Sequence, residues 1–167
     1  MAFAFALAGC SAGTPRDSGR APGAAPRPVQ AGCGKSALSA LHHGSWPSSI
    51  VFTGHWQLVK NRKDGRYEGS SSRSFHVGDA MTFIFSGRRF CVYGVRGSNG
   101  GSAEILIPGR PPRVVEFYAP TKQVHRLIFD SGLLPGRVQS AMLSVIAPRN
   151  GRPRGYANVE DVAIESN

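Results

Sequence analysis

The 167-residue sequence has little of several residue classes, and each shortage excludes a type of protein. It holds three cysteines and no C-x-x-C pair, which argues against a cysteine-based zinc site. No apolar run approaches the roughly 18 residues that a membrane-spanning helix needs. No G-x-S-x-G nucleophile motif occurs, and none of the few acidic residues stands out as a glycosidase carboxylate pair. The sequence therefore nominates no catalytic residues, and we predict a protein that is not an enzyme.

Charge is unevenly balanced, since 20 Lys and Arg face 10 Asp and Glu, for a net charge of +10. The excess is arginine scattered along the chain rather than gathered in a block. Such a protein is attracted to anionic surroundings such as a lipid surface, an acidic polysaccharide or nucleic acid. The alternative is that the arginines are solvated surface residues without a dedicated anion site.

The amino terminus is apolar and ends in Leu7-Ala8-Gly9-Cys10, followed by Ser11. This segment resembles the lipobox of bacterial lipoproteins, in which the signal peptide is cut before the cysteine and the cysteine carries the lipid. The resemblance implies that residues 1–9 are a signal segment, that Cys10 is lipidated and that the protein is anchored in the bacterial cell envelope. That location makes nucleic acid an improbable partner. The alternative is a chance cysteine in an alanine-rich start.

Composition divides the rest of the chain into three parts. Residues 10–33 form a Pro- and Ala-rich linker with almost nothing to bury, which favours disorder. Residues 34–50 are predicted to be a short helical lead-in. Residues 51–166 are predicted to be one β-sandwich domain. Cys33 and Cys91 could form a disulfide in an oxidising envelope, or Cys91 could be a buried free thiol with Cys33 exposed.

Short apolar runs separated by Gly, Pro, Asn and Ser dominate the sequence after residue 51, which is typical of an antiparallel β-sandwich. The clearest hairpin covers residues 81–94 and turns at Ser86-Gly87-Arg88. Residues 103, 105 and 107 share one predicted face, and residues 141, 143 and 145 share another. The predicted strands lie near residues 50–52, 56–60, 72–77, 80–85, 90–95, 103–107, 114–118, 124–129, 141–146 and 157–164.

An ordered series of weak motifs runs through this region. It consists of Trp56, Tyr67-Glu-Gly-Ser-Ser71, Phe83-Ile-Phe-Ser-Gly-Arg-Arg-Phe-Cys-Val-Tyr-Gly94, Asn99-Gly-Gly101, Ile107-Pro-Gly109, Val115-Glu-Phe-Tyr118, Gly132-Leu-Leu-Pro-Gly136 and Val159-Glu-Asp161. The series resembles the galactose-binding-like jelly-roll domains found beside glycosidases and carbohydrate esterases. Two positions depart from that family: Pro108-Gly109 replaces an Asp-Gly turn, and Arg137-Val-Gln-Ser140 lacks an expected His. The resemblance implies an all-β, antiparallel jelly-roll sandwich that binds carbohydrate or an envelope glycan without catalysis.

Loop-adjacent aromatic residues are the best candidates for sugar contacts, because the apolar C–H faces of sugars stack on aromatic rings while the hydroxyls bond Arg, Asn and backbone. The predicted glycan-binding residues are Tyr67, Arg96, Asn99, Tyr118, Arg126 and Tyr156. No cofactor is predicted, although Glu160 and Asp161 are weak candidates for a structural Ca²⁺ site. Two alternative functions remain open: a structural or adaptor lipoprotein that docks another envelope protein, and an esterase-type hydrolase.

Overall fold

Ten β-strands make up the fold in the computed structural model, which describes residue 33 and residues 50–60, 70–135, 137–148 and 154–165. No helix in these ranges has the length and apolar character needed to cross a membrane. The strands are β1 Ile50–Thr53, β2 Gln57–Lys60, β3 Ser70–Ser74, β4 Ala80–Gly87, β5 Arg89–Arg96, β6 Ser102–Leu106, β7 Arg113–Glu116, β8 Gln123–Asp130, β9 Arg137–Ile146 and β10 Ala157–Glu165.

The strands form two five-stranded sheets in which every neighbouring pair is antiparallel. The strand order is β1-β4-β9-β6-β7 in the first sheet and β2-β3-β10-β5-β8 in the second. The predicted all-β, antiparallel jelly-roll sandwich is therefore confirmed for the described residues. Residues 1–32 and 34–49 lie outside the described ranges, and with them lie the predicted linker, nearly all of the predicted helical lead-in, and Cys10.

The third strand ends earlier than predicted, which places the residues after Ser74 in a loop. The predicted strand over residues 72–77 ends at Ser74, because the Ser74 hydroxyl accepts a hydrogen bond from the His76 N–H at 3.2 Å and the chain then turns. Gly78 completes that turn with φ +94°, a conformation that favours glycine. Ile50 belongs to β1 and pairs with Phe83, which agrees with the predicted strand near residues 50–52.

The core lies between the sheets and is built by the alternation of apolar residues along the strands. The predicted inward residues are confirmed: Ala103, Ile105, Ile107, Ala141, Leu143 and Val145 are all buried. Phe90 is fully buried and links the sheets. Its ring stacks on Phe85 of the first sheet, with centroids 4.8 Å apart, and lies 6.3 Å from Phe129 of the second.

The structure joins Cys33 and Cys91 by a disulfide, with Cα atoms 6.2 Å apart. Cys91 lies in β5 and is fully buried, so the bond ties the chain ahead of the sandwich to an inner strand of the second sheet. Cys91 pairs with Asp130 in the backbone register. That aspartate forms an ion pair with Arg89.

Candidate functional site

The ends of the strands define one face of the domain where several loops meet. Because β1, β3, β5, β7 and β9 all run toward this face and their antiparallel partners run away from it, the connections after these strands lie there together. We call this face the loop end. Its described connections cover residues 54–56, 75–79, 97–101 and 117–122 and residues 147–148 and 154–156.

Backbone hydrogen bonds hold three of these loops together. The Gly97 N–H donates to Phe117 O at 3.0 Å, and the Ala119 N–H donates to Gly97 O at 3.0 Å. On the other side, the Tyr156 N–H donates to Asn99 O at 2.8 Å, and the Gly101 N–H donates to Tyr156 O at 3.0 Å. The loop of residues 97–101 therefore positions both the segment at residue 118 and the segment at residue 156.

Glycine makes this close approach sterically feasible. A Cβ atom on Gly100 would lie 1.9 Å from Phe117 O, and one on Gly101 would lie 2.3 Å from Gly155 O. Such distances are not compatible with a side chain, so the Gly-rich stretch lets three backbones touch. The stretch that the sequence indicated as a tight turn thus also forms the centre of the loop end.

A continuous series of ring contacts lies beside these loops. The Arg73 guanidinium carbon lies 4.4 Å from the ring centroid of Tyr156, and Phe75 meets Tyr156 edge to face at 5.2 Å. Phe75 stacks on His76 at 4.1 Å, and His76 lies 4.9 Å from His55. We call the rings of Tyr156, Phe75, His76 and His55 the aromatic row. Its members range from half-buried to exposed, and Arg73 is half-buried. Ring surface and the Arg73 guanidinium are therefore available to a ligand.

The structure brings four of the six predicted glycan-binding residues to the loop end. Asn99 is exposed, whereas Arg96, Tyr118 and Tyr156 are half-buried. Tyr118 forms a bridge with Gly97, and Tyr156 forms one with Gly100, so Asn99, Tyr118 and Tyr156 belong to one hydrogen-bonded group of loops. Arg96 ends β5 directly before this group. Arg126 is exposed inside β8 and pairs with Gly94, away from the loops themselves. Tyr67 lies outside the described residues.

Sequence reasoning missed Arg73, Phe75, His76 and His55 as parts of this face. Phe75 and His76 were assigned to a strand, where their side chains would point to opposite faces. The structure ends the strand before them, so both rings enter the loop. The signal available in the sequence was the Gly78-Asp79 pair, which marks a turn two residues after an aromatic pair.

The weak Ca²⁺ candidates, Glu160 and Asp161, are both buried in β10. The Glu160 carboxylate accepts a hydrogen bond from the His125 N–H, and Asp161 Oδ1 accepts one from the Val162 N–H at 2.8 Å. Two clusters of metal-ligating side chains occur among the described residues, and neither contains these carboxylates. One is the disulfide-bonded Cys33 and Cys91 with Asp130; the other is His55, His76 and Asp79.

His125 lies in β8 but does not share a buried face with Leu127 and Phe129. Leu127 is 40% exposed while Phe129 is buried, because the register of β5 and β8 shifts between Val92 and Tyr93. His125 instead has a φ of 48° and stacks on Tyr93, with rings 4.8 Å apart and nearly parallel. Burial raises the pKa of the Tyr93 hydroxyl, and the negative charge of Asp161 adds to this.

A cleft also lies away from the loop end, between Arg110, Arg113 and Phe129. Its volume is about 130 Å³, well below the roughly 300–1,000 Å³ of pockets that enclose a small-molecule ligand. Arg110 closes part of it by donating to the carbonyl oxygens of Ser131 and Leu133. This cleft is therefore a weaker binding candidate than the loop end.

Comparison with known proteins identifies the fold. No family model matches the sequence, and a search of curated proteins gives no match. Part of a xanthan lyase from Paenibacillus superposes with a TM-score of 0.51 and 10% identity, over 70% of this chain and 12% of the lyase chain. This similarity shows a shared β-sandwich fold.

Two further solved structures match less closely. One is a two-domain esterase active on acetylated mannans, with a TM-score of 0.48 and 13% identity over 72% of this chain and 34% of the esterase. The other is CsCBM6-3 from Clostridium stercorarium in complex with cellobiose, with a TM-score of 0.43 and 14% identity over 72% of this chain and 89% of that chain. This chain therefore spans only a small part of the xanthan lyase and about a third of the esterase.

Proposed function

We propose that this protein binds carbohydrate through the loop end of its β-sandwich and has no catalytic role. The observation that carries the proposal is the environment of Tyr156. Its half-buried ring contacts both Arg73 and Phe75, and its backbone N–H donates a hydrogen bond to Asn99 O. A ring face, a guanidinium and an exposed amide side chain are the groups that recognise a sugar ring and its hydroxyls.

The rigidity of the loop end supports the same function. Binding costs less free energy when the contacting groups are already held in position. Here the backbones of Asn99, Tyr118 and Tyr156 are fixed by bridges and hydrogen bonds to residues 97–101. The shared fold is compatible with this proposal, since a xanthan lyase also contains it.

The strongest alternative function, docking of another envelope protein, would need a contiguous apolar surface. Among the described residues, the exposed large apolar side chains are Val51, Leu58, Val77, Ile84, Leu127 and Leu133, and they are spread over both sheets and both ends. Isolated exposed apolar residues are normal on soluble domains. For the hydrolase alternative, the hydroxyls of Ser74, Ser102 and Ser131 donate to carboxylates or a backbone carbonyl. These contacts are structural, and they do not favour a nucleophile.

Glycan binding is tested with the full chain and a panel of neutral and acidic glycans at low and high salt. Tyr156→Ala is expected to weaken binding of the best glycan at least about tenfold, because it removes the stacking surface and the ring on which Arg73 rests. Tyr156→Phe keeps the ring and is expected to bind within a few-fold of the parent, so it serves as the matched control. Affinity is measured by calorimetry.

Two results would overturn the proposal. One is the absence of saturable binding to any glycan. The other is binding to acidic glycans only, if this binding disappears at high salt and if Tyr156→Ala binds with the same affinity as the parent. That result would assign the attraction to net charge alone. A thermal unfolding midpoint close to that of the parent is required of each variant, so that loss of binding is not confused with loss of structure.

We further propose that the sandwich is anchored in the bacterial cell envelope through lipid on Cys10. This rests on the resemblance of residues 7–10 to a lipobox. Cys10→Ser is expected to move the protein from the membrane fraction to the soluble fraction, because acylation provides the anchor. Mass spectrometry of the parent should find lipid on this cysteine. An unmodified Cys10, or a Cys10→Ser variant that stays with the membrane, would contradict the anchor.

A further inference from the structure

Two imidazoles of the aromatic row and a carboxylate converge at the loop end, beside the proposed sugar contacts. Asp79 precedes β4 and is 6% exposed. His55 Nδ1 lies 3.8 Å from Asp79 Oδ1, and His76 Nδ1 lies 3.7 Å from Asp79 Oδ2. All three ligand atoms lie within 4.8 Å of one another. The three residues come from the loop after β1 and the loop after β3, so the sandwich itself brings them together.

The carboxylate is firmly positioned. Asp79 Oδ2 accepts hydrogen bonds from the His55 N–H at 2.8 Å and from the Ser74 hydroxyl. The backbone of the first loop passes close to Asp79, because a Cβ on Gly54 would lie 1.9 Å from Oδ1. Gly54 has φ +92°, which favours glycine in this close approach. The hydrogen bonds to Oδ2 fix the carboxylate and leave Oδ1 directed at His55.

The distances do not describe hydrogen bonds. Separations of 3.7 and 3.8 Å between nitrogen and oxygen are too long for one. Ligands bound tetrahedrally to one zinc ion at 2.0–2.2 Å lie roughly 3.4 Å apart, so a small closure of the rings would complete such a site. His76 Nδ1 supplies an independent observation, since it is buried and has no hydrogen-bond partner. The His76 side chain as a whole is 42% exposed, and a metal ion would give its buried Nδ1 a partner.

We infer that His55, His76 and Asp79 bind one divalent transition-metal ion, with zinc as the best match. Two imidazoles and one carboxylate are ligands that suit zinc, whereas Ca²⁺ prefers six or more oxygen ligands. The His55 side chain is 79% exposed, so the site opens to solvent and leaves a fourth position for water. The ion would join the β1–β2 and β3–β4 loops and fix His76, on which Phe75 of the aromatic row stacks.

The test uses the metal-free full chain and zinc alone, titrated in competition with a chromophoric chelator. We expect one zinc ion per chain and a loss of affinity of at least about tenfold in both His55→Ala and His76→Ala. His42→Ala/His43→Ala is the matched control, because adjacent histidines elsewhere in the chain could bind zinc adventitiously. Cobalt substitution gives a second readout, since the visible spectrum of bound Co²⁺ reports the number and geometry of its ligands.

Folding does not obscure this test, because His55 is mostly exposed and its replacement removes no core contact. Zinc is also expected to raise the thermal unfolding midpoint of the parent and not that of the His55→Ala/His76→Ala double variant. Equal zinc affinity in the parent and this double variant would overturn the inference. So would loss of binding only in His42→Ala/His43→Ala, or no zinc binding at all. None of these measurements uses a glycan, so the result is independent of the proposed function.

Discussion

Replacing Cys33 and Cys91 together with serine is expected to lower the free energy of unfolding by about 4 kcal/mol. The bond spans 58 positions, and closing a loop of that length restricts the unfolded chain strongly. A loss of this size corresponds to a fall in the melting temperature of roughly 10–20 °C for a domain of this size. Urea unfolding and thermal unfolding of the oxidised chain and the variant measure the difference.

The control for this experiment is the third cysteine. Cys10→Ser leaves the bond intact and is expected to unfold at the same urea concentration as the parent. The reduced parent is expected to unfold at the same urea concentration as the Cys33→Ser/Cys91→Ser variant, because both lack the same cross-link. An unfolding midpoint that does not change on reduction would show that the cross-link does not stabilise the domain.

Asp130→Asn is expected to destabilise the domain by about 2–3 kcal/mol at neutral pH, through loss of the ion pair with Arg89. Arg89 donates two hydrogen bonds to the carboxylate, from Nε to Oδ1 at 2.8 Å and from Nη2 to Oδ2. The Gly132 N–H donates a further bond to Oδ1 at 2.8 Å. The two side chains keep 13% and 18% exposure, so we expect less than the loss of 3–5 kcal/mol typical of fully buried pairs.

The same pair makes stability depend on pH. The hydrogen bonds from Arg89 lower the pKa of Asp130 below its ordinary value, so the folded state favours the ionised form. The ion pair therefore contributes fully to the free energy of unfolding above the pKa of Asp130 in the unfolded chain, about 3.9. This contribution is lost as the pH falls through the lower pKa of Asp130 in the folded state. The parent should lose stability on acidification over this range, and Asp130→Asn should lose less. Urea unfolding measured at a series of pH values provides the test.

A double-mutant cycle separates the pair from its surroundings. Arg89→Met/Asp130→Asn should cost less than the sum of the two single variants, because each single variant leaves one partner behind. Glu104→Gln on β6 controls for the change in net charge. Additive costs, or an acid transition in Asp130→Asn as steep as that of the parent, would show that the pair does not couple to folding.

Local pattern was sufficient to predict most of the fold. The alternation over residues 103–107 and 141–145 specified which side chains face inward, and the structure buries them. The turn residues placed the ten strands within a few positions. The errors fall where tertiary contacts override the pattern. The third strand ends early at the Ser74 hydroxyl, and β8 changes register beside β5.

The sequence predicts the candidate sites only in part. Aromatic and amide groups beside turns suit a sugar, which predicts Asn99, Tyr118 and Tyr156 as contacts, and the structure gathers these residues at one end. The metal ligands were not predicted, because nothing in their local sequence suggests a site. His55 and Asp79 are 24 positions apart, and only the pairing of β1 with β4 brings their loops together.

The sequence by itself determined the class of the fold, since period-two alternation and frequent turn residues favour antiparallel strands that bury one face. It also determined the net positive charge. The tertiary structure alone decided that Cys33 meets Cys91, that Arg89 meets Asp130, and which loops share the loop end. The physical reason is range: a strand's faces follow from neighbouring residues, whereas these contacts join residues tens of positions apart and exist only when both sheets have formed.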